Sequence, residues 1–378
     1  MSGGVDSSVA ALLLKKKGYD VVGVFMRSYN IDGCEEGDAE DARRVAGKLG
    51  IPFYVWVFEG EYKKKVVDYM VDGYRRGLTP NPDVMCNKEI KFGLFMEKAL
   101  KFGADYVATG HYVRIANSQS AIGYRGKNKK LNPSGYTLMA ARDSAKDQSY
   151  FLWTLTQRQL KHCLFPIGDY QKPEVRKIAK KAGLPTAEKK DSQGICFLGR
   201  VTLADFLKDY IPVKKGAVLN IAGKVIGEHS GAQFYTIGQR HGLASGDWRR
   251  TPGVSKPFYV AEKNVRKNTI VVTEGEDSPE LFKKEVLLTD MNFIYPTTNH
   301  KLPTTVFARV RYRQPLFKAS LELAKGKLWK LVFDKPQKFV AAGQSAVFYV
   351  GHPSSPLAHS GRSSGELRML GGGIILPS

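Results

Sequence analysis

Cys86 is the residue whose setting in the sequence most favours reactive thiol chemistry. It ends residues 79–86, a stretch in which two prolines favour an extended loop before a helix that begins near Lys88. A helix N-terminus and nearby cations stabilise a thiolate, so with Lys88 and Lys91 close by we expect Cys86 to have a lowered pKa. The alternative is that Cys86 is a small buried hydrophobic residue, as most unpaired cysteines are.

A second cysteine, Cys196, lies in a glycine-containing loop, residues 191–199, after a helix predicted over residues 173–182. Because open α/β folds place their sites at the carboxyl ends of parallel strands, Cys86 and Cys196 could meet at one edge of a sheet. The 4 cysteines are too few and too widely spaced for a secreted disulfide framework, and none forms a CxxC metal pair. We therefore expect reduced thiols. Cys34 and Cys163 lie in no recognisable motif, so we interpret both as structural.

A glycine-rich string at the start of the chain could bind phosphate. It reads Ser2-Gly3-Gly4-Val5-Asp6-Ser7 and stands immediately before a helix predicted over residues 8–17. Glycines let backbone N–H groups approach a pyrophosphate, serine hydroxyls add hydrogen bonds, and a helix N-terminus favours an anion. Asp6 could hold Mg²⁺. The alternative is a glycine turn with a serine N-cap, but the full string is more specific than a lone GG pair and favours nucleotide binding.

The elements that must position these residues follow the pattern of a doubly wound α/β domain with a parallel sheet, over residues 1–200. The helices are predicted over residues 8–17, 38–49, 61–76 and 88–102, and the strands over residues 21–26, 52–58 and 105–115. A basic Ser/Gly/Asn/Lys-rich loop, residues 117–134, precedes another strand at 136–141.

The helical pattern fades after about residue 200. Short β-rich runs at residues 217–226, 233–238 and 269–273 predict a small central domain over residues 201–278. A C-terminal β-barrel suited to gripping RNA is predicted over residues 279–378. Its strands are predicted at residues 305–312, 319–323, 328–333, 345–350 and 373–376, with an insertion at 351–366.

The charge balance favours a polyanionic partner. The chain has 58 Lys+Arg against 36 Asp+Glu, a formal net charge of +22. Nucleic acid is the first candidate, and a generally basic compartment such as the mitochondrial matrix is the alternative. No apolar run approaches the roughly 18 residues that cross a bilayer, so we expect a soluble chain with no membrane partner.

The motifs together resemble those of tRNA-specific 2-thiouridylases of the MnmA/TrmU family. SGGVDS resembles the pyrophosphate loop of the ATP pyrophosphatases, and NPDVMCNKEIKFG, ATGHY, KDQSYFLW and SQGICFLG follow in the family's order and spacing. GQRHGL, RVRYRQ, GQSAVFY and GGGII continue the match, so the resemblance covers nearly the whole chain. In that superfamily the loop follows a buried first strand, whereas this chain begins with the loop, so we expect that strand to be missing or the start to be misassigned.

The resemblance implies an enzyme that adenylates O2 of the wobble uridine of tRNA with ATP and replaces this oxygen with sulfur. It implies that Cys196 accepts sulfur as a persulfide from an upstream donor. Cys86 then closes a disulfide with Cys196 as sulfur and AMP depart, and Asp83 serves as general acid or base. The chemistry is sensible, because AMP is a better leaving group than an amide-like oxygen and a persulfide is a better nucleophile than a typical thiol.

The resemblance also implies binding residues. For ATP they are Ser2, Gly3, Gly4, Val5, Asp6, Ser7, Met26 and Gly110. For tRNA they are Asn81, Pro82, Asp83, His111, Lys146, Asp147, Gln148, Arg311, Tyr312 and Gln344. By themselves Met26 and His111 would more often be core residues, Asp147 a helix cap, and the last three a solvated barrel surface.

The implied partners are the anticodon stem-loop of lysine, glutamate and glutamine tRNAs, and a sulfur-relay protein or cysteine desulfurase. Two other functions stay open: another ATP pyrophosphatase, such as a lysidine synthetase, which needs no cysteine pair, and a noncatalytic tRNA-binding protein. The basic balance, the two insertions and the absent first strand favour a mitochondrial matrix protein whose targeting segment lies outside this chain. A bacterial cytoplasmic protein is the alternative.

Overall fold

The computed structural model describes most of the chain. The described residues are 1–29, 31, 35–117, 135–190, 197–199, 201–240, 256–294, 305–351 and 367–377. Cys34, Cys196 and nearly all of both predicted insertions lie outside these ranges. Within them, every helix is too short or too polar to cross a bilayer.

Parallel strands in the first 200 residues form two separate pairs. β1 (Gly23–Arg27) pairs with β2 (Phe53–Val57), and β3 (Val107–Ala108) pairs with β6 (Cys163–Leu164). The helices are α1 (Val5–Lys16), α2 (Glu35–Leu49), α3 (Glu59–Tyr62), α4 (Asp68–Arg75), α5 (Pro82–Met85), α6 (Met96–Lys101), α7 (Gln157–Leu160) and α8 (Lys172–Lys181). The first two carry acidic residues in the first turn and lysine in the last, which favours the helix dipole.

Two helical runs contain π-helical segments. Lys63–Val67 winds as a π-helix between α3 and α4, and Cys86–Phe95 does so between α5 and α6. The second run begins at Pro82, not near Lys88 as predicted, because the Asn81 side chain caps it by accepting hydrogen bonds from two backbone N–H groups at 3.1 and 3.2 Å. Cys86 therefore lies inside a helical run. Such π-helical turns are rare and occur frequently at functional sites.

The strand predicted over residues 105–115 is divided into two. β3 ends at Ala108, and after residues 109–112 the chain enters β4 (Val113–Asn117), which pairs antiparallel with β5 (Tyr136–Ala140). β5 in turn pairs with the last strand of the C-terminal barrel through Met139 and Arg368. This hairpin therefore extends the barrel sheet and not the parallel sheet. The turn between β3 and β4 lies against the glycine-rich string through Gly110.

The rest of the chain forms the two predicted β-rich units. The central unit contains α9 (Leu203–Lys208), β7 (Gly216–Leu219), β8 (Val225–His229), β9 (Phe258–Asn264) and β10 (Thr269–Glu274). The strand predicted at residues 233–238 is wrong, because a short 3-10 turn, Ala232–Phe234, begins there. The C-terminal strands are β11 (Phe282–Phe293), β12 (Thr305–Arg309), β13 (Phe317–Leu323), β14 (Trp329–Lys338), β15 (Ser345–Val350) and β16 (Arg368–Ile375).

β16 pairs back onto β11, which closes these strands into a barrel around a hydrophobic core. Closure removes exposed sheet edges and gives a rigid support for loops. The α/β domain, the β-rich central unit and the C-terminal barrel confirm the predicted fold class.

Candidate active site

The glycine-rich string forms a compact loop at the N-terminus of α1. The Ser2 backbone N–H donates to Ser7 Oγ at 3.1 Å, and Ser7 Oγ donates to the Gly4 carbonyl at 3.1 Å. Gly3 has a φ of +69°, and a Cβ there would overlap the Asp38 carbonyl oxygen, so only glycine fits. Gly4 caps α1 without a side-chain hydrogen bond, which leaves the first-turn N–H groups available to an anion.

Asp6 of the loop forms an ion pair with Lys172, which was not predicted from the sequence. Lys172 Nζ lies 2.9 and 2.8 Å from the two carboxylate oxygens, and the Tyr112 hydroxyl donates to Oδ1 at 2.8 Å. Lys172 is largely buried, with 10% of its side chain exposed. Nothing in the sequence around Lys172 indicates this ion pair, because only tertiary packing brings the first turn of its helix to a loop 166 residues away.

The groups of this loop fit a bound pyrophosphate better than a bound Mg²⁺. Backbone N–H groups, two serine hydroxyls and the Lys172 ammonium suit a pyrophosphate. Both Asp6 oxygens are already hydrogen-bonded, and across the described ranges no group of three or more His, Cys, Asp or Glu side chains could hold a metal ion. Mg²⁺ usually uses one or two carboxylates together with substrate phosphates, so Asp6 as its ligand stays a prediction.

Gly110 packs directly on the phosphate loop. A Cβ at this position would sit 2.7 Å from the Ser7 backbone nitrogen, so a larger residue would displace the loop. Met26, the other predicted ATP contact, is half-buried at the end of β1. It packs against the hydrophobic cluster that also contains Cys86.

Cys86 is buried, with 6% of its surface exposed. Burial raises the pKa of this thiol, whereas the Lys91 ammonium and a hydrogen bond with Tyr62 act in the opposite direction. The expectation of a lowered pKa was therefore wrong, because the cost of desolvating a thiolate exceeds the effect of the nearby cation. Lys88 does not contribute; it is exposed and lies 3.7 Å from Glu89.

Asp83 lies one helical turn before Cys86. Burial raises the pKa of this carboxyl group and the Lys91 ammonium lowers it. His111 is 8% exposed, its Nδ1 lies 2.7 Å from Thr109 Oγ1, and burial together with Lys91 holds its pKa well below the usual range. Lys91 thus acts on three groups at once, and sequence reasoning assigned it no site role beyond its charge near Cys86.

The residue after Cys196 can be located. Phe197 is buried in the same cluster as Cys86, with its ring centroid 5.8 Å from that of Tyr62. Tyr62 is also hydrogen-bonded to Cys86, so one tyrosine side chain contacts both Phe197 and the Cys86 thiol. Cys196 itself lies outside the described residues.

The predicted tRNA contacts near residue 147 join the first domain to the barrel. Asp147 is buried, and its carboxylate lies 3.1 Å from Arg309 Nη2 of β12. Gln148 exchanges hydrogen bonds with the backbone of Tyr112, at 2.9 Å for both its side chain and its main chain. Lys146 is half-buried. The described contacts of Asp147 and Gln148 are therefore structural, and their contact with RNA stays a prediction.

The predicted contacts on the barrel lie beside the first domain. The Tyr312 ring centroid is 4.4 Å from that of Phe151, and both side chains are half-buried. Arg311 is half-buried beside Phe339, and Gln344 Nε2 donates to the Thr79 carbonyl at 2.7 Å. The barrel thus meets residues 79–86 directly.

Comparisons with known proteins cover nearly the whole chain. Residues 1–200 match the family described as tRNA methyl transferase HUP domain, residues 204–274 match tRNA methyl transferase PRC-barrel domain, and residues 283–353 match Aminomethyltransferase beta-barrel domain.

Curated relatives from three bacteria carry one name, tRNA-specific 2-thiouridylase MnmA. The chain is 43% identical to that of Alkaliphilus oremlandii, covering 93% of each chain. It is 45% identical to that of Geobacillus thermodenitrificans and 44% identical to that of Listeria monocytogenes, in each case over 93% of this chain and 90% of the relative. This chain therefore belongs to the MnmA family of tRNA-specific 2-thiouridylases.

Proposed function

We propose that this protein is an ATP-consuming enzyme that replaces O2 of the wobble uridine of tRNA with sulfur from a cysteine persulfide. The observation that carries the proposal is the placement of Cys86 and Asp83 in one helical run, together with the packing of Gly110, the residue before His111, on a loop fitted to pyrophosphate. A methyl transfer, which the family descriptions name, would require neither the loop nor the cysteines.

ATP supplies an adenylyl group that converts the uridine oxygen into a leaving group. The first-turn N–H groups of α1 would bind its phosphates, because they carry no side-chain cap. Lys172 would balance phosphate charge from its site on Asp6, 2.8 Å away. Gly110 keeps the loop in place by packing against Ser7.

The groups around Cys86 determine how readily Cys86 and Asp83 ionise. Burial favours the neutral forms of both Cys86 and Asp83, and Lys91 favours their anions. Burial raises the pKa of Asp83, so this carboxyl group holds a proton more readily than an exposed one, which suits a general acid or base. His111 stays neutral, so it can act as a hydrogen-bonding group without competing for that proton.

The tRNA would lie over the seam between the first domain and the barrel. Tyr312 and Phe151 offer half-buried aromatic rings for base stacking, and the net charge of +22 favours the phosphate backbone. The lysine, glutamate and glutamine tRNAs, a sulfur-relay protein or cysteine desulfurase as donor, and a mitochondrial location stay predictions.

The test is a thiolation assay with nucleoside analysis. Protein, ATP, a sulfur donor and unmodified tRNA should yield 2-thiouridine, detected by mass spectrometry. Cys196→Ser should abolish the product, whereas Cys163→Ser, which removes a buried thiol in β6, should retain it. Product formed by Cys196→Ser would contradict the persulfide mechanism.

Two outcomes would favour the alternatives. A different modified nucleoside, such as lysidine, would indicate another ATP pyrophosphatase. Steeply salt-dependent tRNA binding with no heat of ATP binding in calorimetry would indicate a noncatalytic RNA-binding protein.

A further inference from the structure

A turn of the barrel, residues 342–344, is hydrogen-bonded to both backbone polar groups of Thr79. The Thr79 N–H donates to the Ala342 carbonyl at 2.7 Å, and the Gln344 side-chain Nε2 donates to the Thr79 carbonyl at 2.7 Å. Thr79 is only 6% exposed, so water is not an equivalent partner. Gly343, with a φ of +89°, lets the turn approach this closely, because a Cβ would sit 2.9 Å from the Thr79 nitrogen.

The Gln344 side chain and backbone both lie against fixed groups of the structure. Tyr150 is buried, and its hydroxyl lies 2.8 Å from the Ser345 carbonyl and 3.5 Å from Gln344 Oε1. The Gln344 backbone is fixed as well, because its carbonyl accepts a hydrogen bond from Ile375 in β16 at 2.8 Å. A rigid barrel therefore presents one amide donor to one carbonyl.

The chain from Thr79 to Cys86 is stiff enough to transmit the position of that carbonyl. Pro80 packs on Gly73 so tightly that a Cβ on Gly73 would lie 2.6 Å from the proline Cγ. Asn81 caps α5 through its side chain, and Pro82 opens the helix with a fixed φ. A shift of Thr79 is therefore carried into the helical run that holds Asp83 and Cys86.

We propose that Gln344 is a positioning residue, which sets the place of Asp83 and Cys86 from the barrel by holding the Thr79 carbonyl. This inference rests on the proposed thiolation. It assigns Gln344 a role in turnover and not in RNA affinity, although the family resemblance implies an RNA contact there. A misplacement of a catalytic group by about 1 Å costs roughly 100-fold in rate. Loss of the hydrogen bond from Gln344 to Thr79 should therefore reduce kcat far more than it changes tRNA binding.

The experiment compares Gln344→Ala and Gln344→Glu with Gln337→Ala. Glutamate keeps the size of the side chain and removes the donor, so it separates the hydrogen bond from packing. Gln337 is the matched control, because its Nε2 also donates to a backbone carbonyl at 2.7 Å, that of Lys335, within β14 of the same barrel. We measure kcat and KM for tRNA, the tRNA Kd, and the rate of Cys86 alkylation by iodoacetamide, located by peptide mass spectrometry.

Both Gln344 variants should lose about 10- to 100-fold in kcat, with KM and Kd changed less than about 3-fold. Their Cys86 should be alkylated several-fold faster, because the helical run that buries it is less restrained. Gln337→Ala should behave as the unsubstituted protein in each assay.

Three results would overturn the proposal. One is a rise in KM and Kd with kcat retained, which would make Gln344 an RNA contact. Another is an equal loss in Gln337→Ala, which would indicate general damage to the barrel. The last is an unchanged Cys86 alkylation rate in both Gln344 variants. Alkylation needs neither tRNA nor ATP, so it tests this anchor even if the unsubstituted protein forms no 2-thiouridine.

Discussion

Replacing Arg309 by methionine should strongly destabilise the contact between the first domain and the barrel. The Arg309 guanidinium lies 3.1 Å from the Asp147 carboxylate, and the side chains are 9% and 3% exposed. Breaking a buried ion pair costs about 3–5 kcal/mol, because the remaining charge is left without its partner. Asp147 would keep hydrogen bonds from Ala141 and Ser149, at 2.9 to 3.2 Å. We therefore expect the lower end, about 3 kcal/mol, or roughly 100-fold in the unfolding equilibrium.

The assay is urea unfolding followed by tryptophan fluorescence, since Trp153 lies at this seam and donates to Ser345 Oγ at 2.9 Å. The double variant Arg309→Met/Asp147→Asn should lose less stability than the sum of the single variants, as expected for a coupled pair. Lys318→Met is the control, because its pair with Asp334 is 57% exposed on both sides and contributes at most about 1 kcal/mol.

The reasoning would be refuted if Arg309→Met unfolded within about 0.5 kcal/mol of the unsubstituted protein, the range of an ordinary surface change. A second refutation is possible for the role of Asp147. If Asp147→Asn lowered tRNA affinity and left stability unchanged, Asp147 would be an RNA contact, and the buried pair would not be its function.

Three further predictions concern the site itself. Lys91→Met should raise the pKa of Cys86 further, because it removes the largest influence that opposes burial; the iodoacetamide rate should then rise only at higher pH, whereas Lys91→Arg keeps the profile. Gly110→Ala should weaken ATP binding at least about 10-fold in calorimetry, because its Cβ would displace the Ser7 backbone, whereas a Cβ on Gly47 meets nothing within 4 Å and Gly47→Ala should have no effect. Cys86→Ser should abolish 2-thiouridine in nucleoside analysis and leave ATP binding unchanged.

Sequence periodicity predicted those elements whose stability is local. α1, α2 and the barrel strands β12, β13 and β15 lie within a few residues of their predicted bounds, because hydrophobic runs and the turns between them are visible along the chain, whereas β11 was not predicted. The π-helical winding at Cys86–Phe95 was not predictable, since no simple hydrophobic period marks it. The helix start at Pro82 was missed because two prolines were interpreted as a loop, although Asn81 before Pro82 is also a helix-start signal.

The ion pairs and pKa shifts at the site arise from contacts between residues far apart in the chain, so they could not be predicted from sequence spacing. Lys172 reaches Asp6 across 166 residues, and Arg309 reaches Asp147 across 162. The pKa of Cys86 was predicted in the wrong direction for the same reason. Lys91 was visible beside it in the sequence, whereas the burial that outweighs this cation comes from Tyr62, Phe197 and their neighbours.

The ionisation of Cys86 depends on the charge of Asp83. Each group is favoured in its neutral form by burial and in its anionic form by Lys91, and a charged Asp83 further raises the pKa of Cys86. The charge of Asp83 therefore opposes the loss of the Cys86 proton. The first ionisation falls on the carboxyl group, which is intrinsically the stronger acid. An ionised Asp83 therefore favours the thiol form of Cys86, whereas a protonated Asp83 opposes its ionisation less. Formation of the proposed disulfide from a Cys86 thiolate would for that reason be favoured by a protonated Asp83, one helical turn away.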